Sequence, residues 1–226
     1  MKWHFDDFIY GSIDGAVTTF AIVAGVVGAS LSPTIILILG FANLFADGFS
    51  MAAANYQASK ARNEYIEMKR KQEEWEIENL EEQEKDEIRD IYSNKGFKDE
   101  LLEEVVRIIT SRRKVWIDTM MKEELGLIED DKRPLDSSIS TFVGFNLIGI
   151  IPLIPFMIFI ALGIEPNSDA FTYSTIFVVS AFFLVGMIKG KIVKKSKIKS
   201  GLYTLIIGGF AAMVAFLVGY GLNFLI

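Results

Sequence analysis

The stretch Asn43-Leu44-Phe45-Ala46-Asp47-Gly48-Phe49-Ser50-Met51-Ala52-Ala53-Ala54-Asn55-Tyr56-Gln57-Ala58-Ser59-Lys60-Ala61-Arg62 passes from lipid-like to water-like composition with no proline between its halves. Up to Gln57 it is apolar and small, apart from Asp47. Beyond Ala58 the chain is densely charged: residues 58–134 hold 22 of its 29 acids and 16 of its 23 bases. Ala58 to Arg62 favour helix, so an apolar helix is expected to run straight on into a charged insert.

Outward from this junction the sequence is apolar. Of 226 residues 51% are hydrophobic, and mean hydropathy is +0.33. A membrane-crossing helix needs about 20 mostly apolar residues. Runs at 8–31, 33–56, 139–162, 171–188 and 201–226 qualify. The expectation is an all-α polytopic membrane protein: five transmembrane helices with a cytoplasmic three-helix insert between the second and third. Its parts are residues 1–57, 58–134 and 135–226. The first apolar run is too long for a cleavable signal core and reads as a retained helix. Leu31-Ser32-Pro33 is a tight turn, making a hairpin of the first two spans. Pro152 and Pro155 should kink the third span, which is tolerated when neighbours satisfy the freed carbonyls. In the insert, Asn94-Lys95-Gly96 is a turn, 99–111 and 113–125 read as helix, and Gly126 stops the last.

Orientation follows from the lysines. The link between spans four and five carries Lys189, Lys191, Lys194, Lys195, Lys197 and Lys199, whereas the link between three and four has only Glu165 and Asp169. The positive-inside rule then places the N-terminus, the insert and the lysine link in the cytoplasm, with the C-terminus on the opposite side. The lysine run reads as a topology signal and lipid-headgroup anchor.

Composition narrows the chemistry. There is no cysteine and one histidine, His4, which excludes disulfides, thiolate sites and His-rich zinc or copper centres. A metal has to be held by carboxylates, carbonyls, amides or thioethers. Oxygen suits hard dications, and added methionine sulfur shifts preference toward softer transition ions. The insert by itself carries the net charge of −6, and this local acidity argues against nucleic acid.

Two groups of residues stand out. Asn43, Asp47 and Met51 share one helical face at i, i+4, i+8, and Asp14 lies near the start of the facing span. An unpaired carboxylate in hydrocarbon is costly, so such acids face a partner, a cavity or water. The bland alternative makes Asp14 a helix cap and puts Asp47 near the headgroups. In the insert, Glu73 and Glu76 are repeated eleven residues on by Glu84 and Glu87. On an unbroken helix all four share a face; alternatively a bend near Asn79 folds one pair onto the other. Glu-rich helices are usually solvated faces, but Met120-Met121 with Glu124, shortly after Trp116, is an unusual companion. The bland reading of those methionines is core filling. Ala21, Gly25, Ala29 and Ala24, Gly28 form small-residue ridges suited to close packing, within one subunit or between two.

In these motifs the chain resembles the vacuolar iron transporter family, nearly end to end. The resemblance rests on Asp14-Gly15, on Ala46-Asp47-Gly48-Phe49-Ser50-Met51-Ala52 with Tyr56 and Lys60, and on Glu73-x-x-Glu76 and Glu84-x-x-Glu87. It continues through Trp116, Met120-Met121-x-x-Glu124-Leu125-Gly126, Phe142 and Gly149-x-x-Pro152-Leu153-x-Pro155-Phe156. It implies five membrane helices, a cytoplasmic metal-binding domain, a homodimer with the ion path at its interface, and export of ferrous iron, often manganese, from the cytosol in exchange for protons. By this resemblance Asp14 and Met51 are intramembrane metal positions, and Glu73, Glu76, Glu84, Glu87, Met120, Met121 and Glu124 are cytoplasmic ligands. Two departures stand out: Asn43 occupies a position where the family commonly has glutamate, and the proline usual between the two glutamate pairs is missing.

The sequence therefore predicts a transporter and not an enzyme. Its cargo is a divalent metal, Fe2+ first, then Mn2+ or Zn2+, and no organic cofactor is implied; its partners are lipid, protons and a second copy of itself. The alternatives are a membrane-anchored cytoplasmic metal sensor or buffer, and a charged coiled-coil assembly domain. Asp47 within a span argues against both, because an anchor has no need of it.

Overall fold

The computed structural model describes residues 3–128, 132–166 and 168–224, and these form helices and turns only. The last two residues of the expected fifth span and the acidic run at 129–131 lie outside them. In order, the helices are α1 (Phe5–Gly28), α2 (Pro33–Asn79), α3 (Glu81–Asn94), α4 (Asp99–Thr110), α5 (Arg113–Thr119), α6 (Pro134–Gly149), α7 (Ile154–Ala161), α8 (Ser168–Ile192) and α9 (Lys197–Asn223). A π-helical turn, Met120–Glu124, extends α5. The chain falls into two compact units, residues 1–57 with 132–226 and residues 58–131.

In the first unit, α1, α8, α9, the early part of α2, and α6 with α7 taken together are each long and apolar enough to cross a membrane. This is an integral membrane architecture. Its core gathers Val23, Phe145, Leu153, Phe156 and Phe182, all fully buried. Ile206, Phe210, Met213 and Leu217 on α9 face outward, as a lipid-facing surface requires. α1 packs against α6, α8 and α9. A Cβ on Gly15 would lie 2.3 Å from the Phe145 carbonyl oxygen, so only glycine admits this backbone approach. At the other end of α1, a Cβ on Gly219 would meet the Gly25 oxygen at 2.1 Å, and one on Gly28 the Phe216 oxygen at 2.4 Å. The Gly25 and Gly28 ridge is thus occupied by α9 of the same subunit.

The prolines act as expected. Pro152 lies in a single 3-10 turn, Ile151–Leu153, between α6 and α7. The buried Ser174 hydroxyl of α8 donates to the Pro152 carbonyl at 2.7 Å, so a neighbouring helix satisfies the kink.

In the second unit the insert has four helical segments where three were expected. The run from α2 divides at Leu80, whose φ of −127° and ψ of 35° leave the helix. No proline is involved. The Asn79 amide donates to the Trp75 carbonyl at 2.7 Å, a local bond that competes with the next helical turn. Helix resumes at once, with three glutamates in the first turn of α3, where negative charge is favoured. Ile66, Ile77, Ile88, Val106, Ile109, Trp116 and both methionines form the core. Arg70–Asp118, Arg113–Glu78 and Lys95–Glu123 pair across its rim. Gly96 and Gly126 take positive φ at the expected stops.

Candidate metal centre

The break at Leu80 decides the geometry of the glutamates. On a continuous helix, residues eleven apart stand about 16 Å apart along the axis. Here Glu84 feels the charge of Glu73, and both feel Glu76, Glu87 and Glu124. The structure therefore takes the bent alternative, and the two Glu-x-x-Glu pairs address one another.

The five carboxylates are not equivalent. Glu73 and Glu84 are 2% and 4% exposed, and one oxygen of each, Oε2, is buried without a hydrogen-bond partner. Burial, reinforced by Glu124, Glu76 and Glu87, lifts the Glu73 carboxyl from the ordinary 4.5 to about 7. Burial, then Glu87, Glu73, Glu76 and Glu124, lifts Glu84 equally, to about 7. Glu76 is half-buried and accepts from Gln72 at 3.0 Å. Glu87 and Glu124 lie at the exposed rim. Partial burial and the charges of Glu87 and Glu76 raise the Glu124 carboxyl, which is also hydrogen-bonded to Glu87. Lys69 is near enough to draw Glu73 and Glu124 slightly the other way.

The π turn brings in sulfur. Leu125 N–H reaches back five residues to Met120 O at 3.2 Å. In this wider turn the adjacent Met120 and Met121 are both buried, 0% and 3% exposed, and Glu124 joins the glutamates while Glu123 pairs outward with Lys95. π turns recur at functional sites. Buried, unpartnered carboxylate oxygens and thioethers within one compact unit supply donor types suited to a divalent transition ion. The methionines are core residues of this unit.

In the first unit, Asn43, Asp47 and Met51 stand partly buried on α2. The Asn43 amide donates at 3.3 Å to the hydroxyls of both Thr18 and Thr19, and Thr18 donates at 2.9 Å to the Asp14 main-chain oxygen. Asp14 is mid-helix, not a cap. It lies close enough to Asp47 for their charges to interact. Among the described residues no hydrogen bond or ion pair holds either carboxylate.

One arrangement escaped sequence reasoning. Among the described residues, the one set of three potential ligand atoms mutually within 4.8 Å comes from His4, Asp6 and Asp7. The signal was a His-x-Asp-Asp run opening the first span. Its charge is met already: Lys132 pairs with Asp6 and lies 3.9 Å from Asp7, which also takes hydrogen bonds from Ser137 and, at 3.1 Å, Asn55. This cluster fastens the start of α1 to the start of α6. The glutamates of the second unit are spaced more widely than this set.

Comparison with known proteins places the sequence among named relatives. The family model described as VIT family matches residues 5–220. The chain is 38% identical over 216 residues to a protein named vacuolar iron transporter from Plasmodium falciparum, covering 93% of this chain and 79% of that one. It is 33% identical over 211 residues to vacuolar iron transporter 1 of Arabidopsis thaliana, covering 93% and 82%. With vacuolar iron transporter 1 of Eucalyptus grandis it shares 35% identity over 213 residues, covering 93% and 83%.

Proposed function

Since the chain belongs to the VIT family, we propose that it carries a divalent transition metal across a membrane. Ferrous iron is the principal cargo and manganese a second. The direction is out of the cytosol, driven by proton exchange. In this reading the five long apolar helices all span, the 58–131 unit and the N-terminus are cytoplasmic, and two copies associate around the ion path.

One observation carries the proposal: two buried glutamate oxygens without partners, on Glu73 and Glu84, in the compact unit whose core holds two buried methionines. Withdrawing carboxylates from water without a partner is unfavourable. A dication relieves both the desolvation and the mutual repulsion. Met120 and Met121 favour a transition ion over calcium or magnesium. Glu76, Glu87 and Glu124, nearer the surface, receive the ion first. This unit collects metal and raises its supply to the membrane path.

In the membrane, Asp14, Asp47 and Met51 bind a partly dehydrated ion, and the Asn43 amide oxygen, left free by its donor bonds to Thr18 and Thr19, adds a neutral ligand. Protons from the far side compete for the same carboxylates, because a carboxylate must be ionised to hold metal. An amide cannot titrate, so the exchange runs through Asp14 and Asp47. That these two acids lie within apolar helices with no partner favours transport over a buffer anchored to the membrane. The test is uptake of ferrous iron into proteoliposomes under an imposed pH gradient. Wild-type flux should follow the gradient, and flux undiminished in Asp14→Ala refutes the path.

A further inference from the structure

The lysine-rich link joining α8 and α9 has a built shape that a topology signal does not require. Lys189, Lys195 and Lys199 line one cavity of about 710 Å³. No acid lines it, and among the described residues no ion pair involves these lysines. Ser196 and Ser200 sit beside them, and the far wall is Tyr203 and Ile207, which are 70% and 62% exposed. Lys199, Tyr203 and Ile207 follow one another at four-residue spacing down α9, so charge passes through hydroxyls to apolar surface along a single strip.

The backbone holds the lysines in place. Lys194 takes φ 52°, in the left-handed region usually given to glycine. Its N–H bonds to Lys191 O at 3.3 Å, and the Lys195 N–H to Gly190 O at 2.9 Å, a closed helix cap that fixes the direction of Lys195. Below it the helices touch: a Cβ on Gly186 would lie 2.7 Å from Gly201 Cα.

Helix electrostatics explain half of this arrangement and oppose the other half. Lys189 and Lys191 in the last turn of α8 complement the negative end of that helix. Lys197 and Lys199 stand in the first turn of α9, at its positive end, with no acid in that turn. Positive charge is unfavourable there. The Ser196 hydroxyl accepts from the Lys199 N–H at 3.5 Å, which caps the turn but leaves the lysine charge unmet, and a bound anion relieves it.

We propose that the α8–α9 hairpin binds one anionic phospholipid, its phosphate between Lys189, Lys195 and Lys199 at the first turn of α9 and its acyl chain along Tyr203 and Ile207. The place suits it, since the cavity lies at the ends of two helices long and apolar enough to span a membrane.

The test is native mass spectrometry of the full chain in neutral detergent with added phosphatidylglycerol. Wild type should retain one lipid per chain. Lys199→Gln should weaken retention about fivefold, and the triple Lys189→Gln, Lys195→Gln, Lys199→Gln about a hundredfold, from the typical worth of one lysine at a lipid surface. The matched triple Lys191→Gln, Lys194→Gln, Lys197→Gln changes the same charge outside the cavity and should retain the lipid. Equal loss in the two triples overturns the proposal in favour of general surface charge. Full displacement by millimolar glycerophosphate, which has no acyl chain, overturns it in favour of a soluble anion. If the cavity triple does not fold, Lys199→Gln and Lys199→Arg decide: loss in the first with recovery in the second supports the site, and no change in either overturns it.

Discussion

Replacing Glu73 with glutamine should stabilise the metal-free protein at neutral pH while weakening its hold on metal. The Glu73 and Glu84 carboxyls lie near 7 in the folded chain against an ordinary 4.5. The folded state thus binds more protons than the unfolded state between these values. Stability is then highest below about pH 4.5 and falls as pH rises toward 7. At 1.36 kcal/mol per unit, each carboxylate costs on the order of 3 kcal/mol when ionised. The two share their repulsion, so the pair costs less than twice that. Amide hydrogen exchange within residues 58–131 of the full chain reads this locally, where a single global unfolding constant is undefined. Protection in metal-free wild type should fall from pH 5 to pH 8. Glu73→Gln with Glu84→Gln should flatten the profile, and saturating ferrous iron or manganese at pH 7.5 should restore protection in wild type alone. Protection that rises with pH over this range, or a slope untouched by the double substitution, refutes the argument.

Calorimetric titration of metal at pH 7 in buffers of different ionisation enthalpy should show about one proton released per ion, summed from two half-protonated carboxyls, and almost none at pH 9. Asn43→Glu should steepen the pH dependence of proteoliposome flux by adding a titratable ligand, and Asp47→Asn should flatten it; identical profiles for all three proteins would count against coupling through these positions. Ser174→Ala leaves the Pro152 carbonyl unpartnered in the core and should lower stability by about 1–3 kcal/mol, read by thermal unfolding in detergent. Gly15→Ala drives a Cβ into the Phe145 backbone and should cost about 1–3 kcal/mol or more, by the same measurement.

The apolar helices were legible because hydropathy and turn chemistry are local. The Pro152 kink and the stops at Gly96 and Gly126 each followed from one or two residues, whereas the turn expected at 31–33 lies at Ala29-Ser30, with Pro33 opening α2. The division at Leu80 was legible only as one of two options. It depends on the Asn79 side chain and on burying Ile77 and Ile88 together, which no periodicity encodes. The depth of each glutamate was also hidden. Glu73 and Glu87 read alike in sequence, yet one is buried and the other lies at the rim, because the bend at Leu80 sets which carboxylates point into the unit. The His4, Asp6 and Asp7 cluster is closed by Lys132, Ser137 and Asn55, long-range partners that spacing cannot supply.

Both candidate sites rest on the same physical device, a carboxylate removed from water and given no partner. Many other acids are treated otherwise: Asp6 meets Lys132, Asp136 meets Arg133, and Glu103 meets Arg89. The contrast separates structural charge from functional charge. A paired carboxylate contributes little and needs nothing more, whereas an unpaired one is unfavourable until a cation arrives. Asn43 sharpens this on the membrane side. Its two donor bonds tie it through Thr18 to the Asp14 backbone, so it holds the position of Asp14 without competing for its proton. In the proposed exchange Asp14 and Asp47 are the two carboxyls available to trade protons for a dication, and two protons per dication is electroneutral. A chain with glutamate at position 43 has a third such group and a different stoichiometry open to it. On this reading the single amide sets the limit on how many protons one protomer moves.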